Sequence, residues 1–271
     1  MCKVLKVSRS SYYKNLNKKE SKRSIENRFL EDEILNIYKA SKGRYGAPKI
    51  YEKLKAKDIF ISLKRTQRIM NKLGIKSIVC KKFRPYSSKH KVENRENIIN
   101  RDFTTTAINQ KWVTDITYIH TIKDGWCYLA SVMDLNSRKI VGYSMSKNMD
   151  TTMALKAVDN AYKLQKPSDG LILHSDLGSQ YTSYDFGEYV KNHKIVHSFS
   201  GKGNPYDNAC IESFHSVLKK EEVNLVKYFD FDTARLAIFE YIESWYNRER
   251  IHSSLGYITP QEWEDKSKRA A

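Results

Sequence analysis

Residues 111–120 read KWVTDITYIH. β-Branched and aromatic residues crowd this stretch, and such side chains favour a pleated, half-buried strand. One acid, Asp115, interrupts it. A carboxylate inside a central strand is costly unless it is paired or meets a cation. Downstream, Asp124 and Gly125 mark a turn, and CYLASVMD and KIVGYSMS follow as two more strands joined by LNSR. A helix fits 151–165, where Met153, Ala154, Ala157, Val158 and Ala161 form one apolar stripe. LILHS at 171–175 is a short buried strand. A helix over 183–193, a strand at IVHSFS (195–200), the loop GKGNPYDN and a helix over 208–221 complete the run. Three strands, then helix, strand, helix, strand and helix, is the order of a ribonuclease-H-like α/β fold. It predicts a five-stranded mixed sheet with flanking helices over 108–225. A C-terminal helical segment, 226–271, adds a long helix at 232–246 and then YNRERIHSSLGYITPQEW.

Upstream, the pattern is helical. Residues 1–30 are polar and basic and read as an arm. Over 31–78, EDEILNIYKA offers Ile34, Leu35 and Tyr38 on one face, and Pro48 suits the first turn of a second helix. Ser62 suits the N-cap of a third, ending near Leu73 and Gly74. The third helix buries Ile69, Met70 and Leu73 and carries Lys64, Arg65, Arg68 and Lys72. Three short helices ending in a basic one suggest a helix-turn-helix with a recognition helix. A small helical bundle solvated by its charges fits the same pattern. Residues 79–107 read as a basic linker.

The charge distribution points to a polyanion. The chain has 271 residues and a net charge of +17. Residues 1–100 hold 27 Lys/Arg against 9 Asp/Glu, whereas residues 101–271 hold 21 against 22. The whole excess lies in the first hundred residues, and such a block neutralises phosphates and releases counterions. RNA or an anionic membrane surface fits the charge too, though no apolar run is long enough to span a bilayer. The N-terminal stretch lacks a secretory apolar region. The expected location is the cytoplasm, in contact with nucleoid DNA. Cys2, Cys80, Cys127 and Cys210 form no CxxC pair, so neither a disulfide framework nor a Cys-rich zinc site is expected.

Three acids occupy unusual settings. Asp115 lies inside the first strand, Asp176 directly follows LILHS, and Glu212 sits early in a helix behind a Gly/Pro/Asn loop. Carboxylates from two strands and a facing helix can hold hard divalent cations. Two such ions clamp an in-line displacement at phosphorus. Each acid also has an ordinary explanation: an Arg pair for Asp115, a turn for Asp176, a helix surface for Glu212. Asp134 and Asp207 are rival acids, explained respectively by a turn and by helix capping.

At these residues the chain resembles a known family. WVTDITYI, HSDLGSQY and GKGNPYDNACIESFHSVLKKE resemble the integrase-like transposases of bacterial insertion sequences. Sixty residues separate Asp115 from Asp176 and thirty-five separate Asp176 from Glu212, matching the D, D and E positions of that family. KGRYGAPKIYEKLK and KRTQRIMNKLGI resemble its helical DNA-binding domain, and YIESWYNRERIHSSLGYITPQEW its C-terminal segment. The resemblance implies two magnesium or manganese ions held by Asp115, Asp176 and Glu212. It implies cleavage of terminal inverted repeats and strand transfer into target DNA by a 3′-hydroxyl, and a homo-oligomer when DNA ends are synapsed. It identifies the chain as the product of the second of two reading frames, with the upstream-frame product as a possible partner. The rival readings are a non-catalytic DNA-binding regulator and a ribonuclease-H-like nuclease.

Around the acids, His174 shares a strand with Asp176 and fits either a site contact or a structural hydrogen bond. Lys219, nearly two helical turns after Glu212, fits a phosphate contact or a solvated surface. Lys202 belongs to the loop expected over the site, and Asn208 is expected to cap the catalytic helix. Arg248 and Arg250 suit phosphates or ion pairs with nearby Glu residues.

Overall fold

The computed structural model describes residues 2, 8–16, 20–78, 96–201 and 205–270. The chain divides into two compact units, Met1–Ile78 and Val79–Ala271.

In the first unit, α1 (Arg9–Leu16) precedes α2 (Lys22–Ala40), α3 (Ala47–Lys55) and α4 (Leu63–Lys72). Helix α2 begins at Lys22, so residues 22–30 are not part of an extended arm. Ser21 caps the helix by accepting from Ser24 N–H. Its buried stripe is Leu30, Ile34 and Ile37 rather than Ile34, Leu35 and Tyr38. A cap outside the window and a stripe shifted by tertiary contact explain both differences. Helix α3 carries Pro48 in its first turn, and Ser62 caps α4 through Arg65 N–H. Ile50, Leu54, Ile69 and Met70 complete the small core, while Leu73 is only half-buried.

The second unit is built on one sheet. Strands β1 (Lys111–Thr121), β2 (Gly125–Asp134) and β3 (Ile140–Ser146) form an antiparallel meander. β4 (Ile172–Ser175) and β5 (Val196–Phe199) join parallel to β1, giving the order β3-β2-β1-β4-β5. Between them run α5 (Thr151–Gln165), α6 (Ser179–Thr182) and α7 (Tyr184–Asn192). The five-stranded mixed sheet with flanking helices is the predicted architecture. The stripe foreseen on α5 is buried in full, and it packs with Trp112, Ala130, Val132, Val141 and Leu173. Gly142 lets α5 approach β3: a Cβ there would stand 2.5 Å from Ala157 O and 2.6 Å from Ala161 N.

The helix carrying Glu212, α8 (Ala209–Leu218), continues as a π-helical turn over Lys219–Val223. Helix α9 (Phe231–Glu240) likewise passes into a π-helical stretch, Tyr241–Tyr246, and α10 (Pro260–Ala270) closes the described chain. The two π-helical segments meet at Glu221, which accepts from Tyr241 Oη and Trp245 Nε1, each at 3.0 Å. Arg250, for which either a phosphate or an ion pair with a nearby Glu was expected, takes the ion pair: it pairs with Glu221 at 3.1 Å, and both side chains are nearly buried. Asn247 brackets Ile140 with two hydrogen bonds of 3.0 Å and so anchors the start of β3.

Most of the predicted linker, 79–95, lies outside the described residues. Its last part does not behave as a linker. Ile98 and Ile99 N–H groups both donate to Ser198 Oγ, and Ile99 is 2% exposed. One buried apolar residue among polar neighbours is too weak a periodic signal to read from sequence. Among the described residues, no helix is long and apolar enough to cross a membrane.

Candidate active site

The sheet brings two of the three acids together. In the parallel pairing of β1 with β4, Val113 stands opposite His174. Asp115 lies two residues beyond Val113 in β1 and Asp176 two residues beyond His174, just past the end of β4, and the charge of Asp115 reaches the Asp176 carboxyl. Asp115 is held by Ile116 N–H, which donates to Oδ1 at 2.8 Å, and by His215, whose Nδ1 lies 3.4 Å from Oδ2. Asp176 accepts from Gly178 N–H at 3.0 Å. A Cβ at Gly178 would lie 2.9 Å from Asp176 Oδ1, so glycine leaves room for the carboxylate. Asp176 is exposed on its outer side, yet protein atoms crowd its carboxyl from within. That desolvation, and then the charge of Asp115, push its pKa up to about 6.

Glu212 comes from the first turn of α8 and is exposed. Desolvation and then the charge of Asp115 raise its pKa, against a smaller lowering by His215. Lys219 is half-buried; desolvation lowers its pKa, and the charge of Asp115 opposes this. Asp115 is therefore within electrostatic range of Asp176, Glu212 and Lys219. Among the described residues, no three acids, histidines or cysteines are gathered closely enough to hold a metal ion by themselves. A magnesium ion does not require such a cage, because it binds through one or two carboxylates with water and substrate phosphate in the other positions. The all-oxygen donors and the raised carboxyls of Asp176 and Glu212 fit a hard cation.

The rival acids are spent elsewhere. Asp134 is 1% exposed and accepts from Asn109 N–H, Ser137 N–H and Ser137 Oγ at 2.7–2.8 Å. Asp207 accepts from Asn97, Arg101 and Gly201 N–H, tying residues 97–101 to the segment before α8. Among the described residues, Glu212 has no hydrogen-bond or ion-pair partner.

His174 is fully buried, with Nδ1 at 2.9 Å from Ser198 Oγ and Nε2 at 3.0 Å from Ser200 Oγ. Burial drives its pKa down to about 4. Both ring nitrogens are engaged, so it ties β4 to the β5 edge. Asn208 occupies the N-cap position of α8, but its side chain makes no capping bond. Its amide instead donates to Thr114 O at 3.2 Å, tying α8 to β1, and its buried Oδ1 lacks a partner among the described residues. The tertiary bond to β1 displaces the local cap. Lys202 lies outside the described residues.

The basic residues of α4 belong to the first unit. Arg65 donates to Glu26 and Asn27 on α2, each at 2.7 Å, and Lys72 pairs with Glu31. Lys64 and Arg68 are exposed and have no ion-pair partner among the described residues. Sequence reading missed His215 and Tyr181. The signal for His215 was its place three residues after Glu212, which puts both on one helix face. Tyr181 is buried, with its hydroxyl 3.1 Å from Thr114 Oγ1, and nothing in its local sequence marks it.

Comparison with known proteins follows this geometry. The Integrase core domain family matches residues 105–205, a second Integrase core domain family matches 193–260, and the HTH-like domain family matches 24–83. Transposase InsF for insertion sequence IS3A, from Escherichia coli strain K12, is 37% identical over 98% of this chain and 93% of its own length. The chain belongs to the insertion-sequence transposases with an integrase core. A second member of this transposase family, from insertion sequence element IS904 of Lactococcus lactis subsp. lactis strain IL1403, is 38% identical over 92% of this chain and 98% of its own. Among solved structures, the HTLV-2 integrase catalytic core domain in complex with magnesium (trimeric form) is 17% identical. It covers 59% of this chain and 99% of its own, at a TM-score of 0.46. This chain is thus a DNA transposase, a polynucleotidyl transferase by family, with a helical HTH-like domain before its core.

Proposed function

We propose that Asp115, Asp176 and Glu212 are the catalytic acids of this transposase and that they work with two magnesium or manganese ions. Asp115, Asp176 and Glu212 would hold the ions, with water and substrate phosphate filling the other positions. The observation that carries this reading is the charge of Asp115 acting on Asp176 beyond the paired ends of β1 and β4, where burial and then that charge raise the Asp176 carboxyl to about 6. Like charges held side by side are what a cation site needs and what a purely structural site avoids. The rival acids Asp134 and Asp207 have their oxygens committed to backbone and side-chain donors.

The reaction proceeds in two displacements. Water attacks the phosphorus at the element end, and the bond to the 3′-oxygen breaks to free a 3′-hydroxyl. That hydroxyl then attacks a target phosphodiester, forming a new P–O bond and releasing the target strand's own 3′-oxygen. Bound divalent cations supply activation of the attacking oxygen and neutralisation of the leaving one. The chain contributes position: β1 carries Asp115, Asp176 directly follows β4, and Glu212 lies in the first turn of α8. Lys219 supplies a cation for a DNA phosphate beside the acids. Copies of the chain would act together as a homo-oligomer when two DNA ends are synapsed, with the upstream-frame product as a possible further partner.

The test uses labelled oligonucleotides carrying the terminal repeats of the parent element, with magnesium or manganese. The expected result is joined product from the native chain, none from Asp115→Asn or Asp176→Asn, and DNA binding retained by both variants. Metal-dependent joining that persists in either variant would sink the assignment.

A further inference from the structure

Asp115 has a hydrogen-bond donor at one oxygen and an imidazole nitrogen in ion-pair range of the other, and the two come from different elements. Ile116 N–H serves Oδ1 at 2.8 Å from within β1, and His215 Nδ1 approaches Oδ2 at 3.4 Å from α8. The other nitrogen of His215, Nε2, lies 3.0 Å from Ser131 Oγ. Ser131 is the cross-strand partner of Asp115 on β2. Ser131 is fully buried and His215 is 6% exposed, so water does not compete freely for this line of contacts. A line of side chains thus runs from β2, through α8, to β1.

The chemistry of the line assigns its hydrogens. A neutral imidazole has one donor and one acceptor nitrogen, and a carboxylate only accepts. In a neutral ring the acceptor-only carboxylate calls for the hydrogen on Nδ1, and the Ser131 hydroxyl, which can donate or accept, meets Nε2 in the matching role. The terminal torsion of an aspartate is soft, so the direction of its oxygens depends on such donors. The two groups occupy two of about four lone-pair sites and leave the rest free. Because His215 follows Glu212 by three residues, α8 presents one acid and the group that orients another from the same face.

We propose that His215, supported by Ser131, is a positioning residue. It holds Oδ2 of Asp115 so that the remaining lone pairs face the divalent cation shared with Asp176. This rests on Asp115 being a cation ligand, as proposed above.

Manganese binding to the full chain without DNA, followed by the paramagnetic resonance of free Mn2+, separates the two ideas. The variants are Asp115→Asn, His215→Ala, His215→Asn and Ser131→Ala, each with a thermal melt. Asp115→Asn should bind little Mn2+. His215→Ala should raise the Mn2+ Kd roughly tenfold to a hundredfold, the usual cost of losing a partner that orients a ligand. His215→Asn keeps an N–H near the Nδ1 position and should recover much of the loss, whereas Ser131→Ala should fall between His215→Ala and the native chain. If His215→Ala folds poorly, Ser131→Ala and His215→Asn carry the comparison. Native Mn2+ affinity in His215→Ala beside lost affinity in Asp115→Asn would overturn the positioning role and leave the metal reading intact. Equal weakening in His215→Ala and His215→Asn, with lowered melting in both, would make His215 merely structural and would also overturn it. Native affinity in Asp115→Asn would overturn the metal reading and this inference with it.

Discussion

Arg250 closes a fork on Glu221: Nε lies 3.1 and 3.2 Å from the two carboxylate oxygens, and Nη2 lies 3.1 Å from Oε1. The pair joins the π-helical turn after α8 to the C-terminal segment. Removing one partner of a buried ion pair strands the other charge, at a cost of about 3–5 kcal/mol. Tyr241 and Trp245 still donate to Glu221, so Arg250→Ala should cost about 3 kcal/mol, at the lower end of that range. Urea denaturation measures this. An unchanged midpoint would mean that the fork contributes nothing to the docking of α8.

Gly142 stands where α5 crosses β3, with Ala157 O only 2.5 Å from the position of a Cβ. The obstacle is helix backbone, which cannot rotate aside as a side chain can. Gly142→Ala should destabilise the unit by about 1–3 kcal/mol, the usual range for overpacking. Gly187→Ala, where a Cβ meets nothing within 4 Å, is the control and should melt close to the native chain.

Asp176 links stability to pH. Its carboxyl is raised from 3.8 to about 6, so between these values the folded chain binds more protons than the unfolded one. This group's contribution to stability therefore grows as pH falls from about 7 through 6 and is complete below about 4. Asp176→Asn removes the repulsion and should melt higher than the native chain at pH 7.5, but not at pH 4. Screening at this partly exposed position limits the gain to below about 1 kcal/mol. An identical difference at both pH values would dissociate the effect from the charge.

The four basic residues on α4 should divide into two kinds. Lys64 and Arg68 are exposed, whereas Arg65 and Lys72 are tied to α2. Lys64→Ala and Arg68→Ala should weaken DNA binding across sequences and reduce the slope of log K against log salt by about 1 each. Lys72→Ala should leave that slope nearly unchanged. A full unit of slope lost on Lys72→Ala would show that its pair with Glu31 opens to release the lysine onto phosphate.

The strands and most of the helices were legible in the sequence, and the sequence also singled out Asp115, Asp176 and Glu212 as candidate acids. β-Branched runs, the apolar stripe of α5 and the cap at Ser62 act within a few residues, so they are legible locally. The spacing of Asp115, Asp176 and Glu212, read with the surrounding phrases, pointed to the family that the relatives then showed. Only the tertiary structure decided which charges are free and which are committed. Arg65 and Lys72 looked like phosphate ligands in one dimension, and Arg250 like a phosphate or ion-pair residue; all three are paired with acids on other elements, at separations of 39, 41 and 29 residues. Asn208 stands at a helix start and bonds to β1 instead, and His215 reaches Asp115 and Ser131 on two different strands. Local propensity sets what a segment becomes, but the partner of a polar group is chosen by burial. A charge or an amide removed from water must find whatever the fold places within about 3 Å, and no short stretch of sequence carries that information.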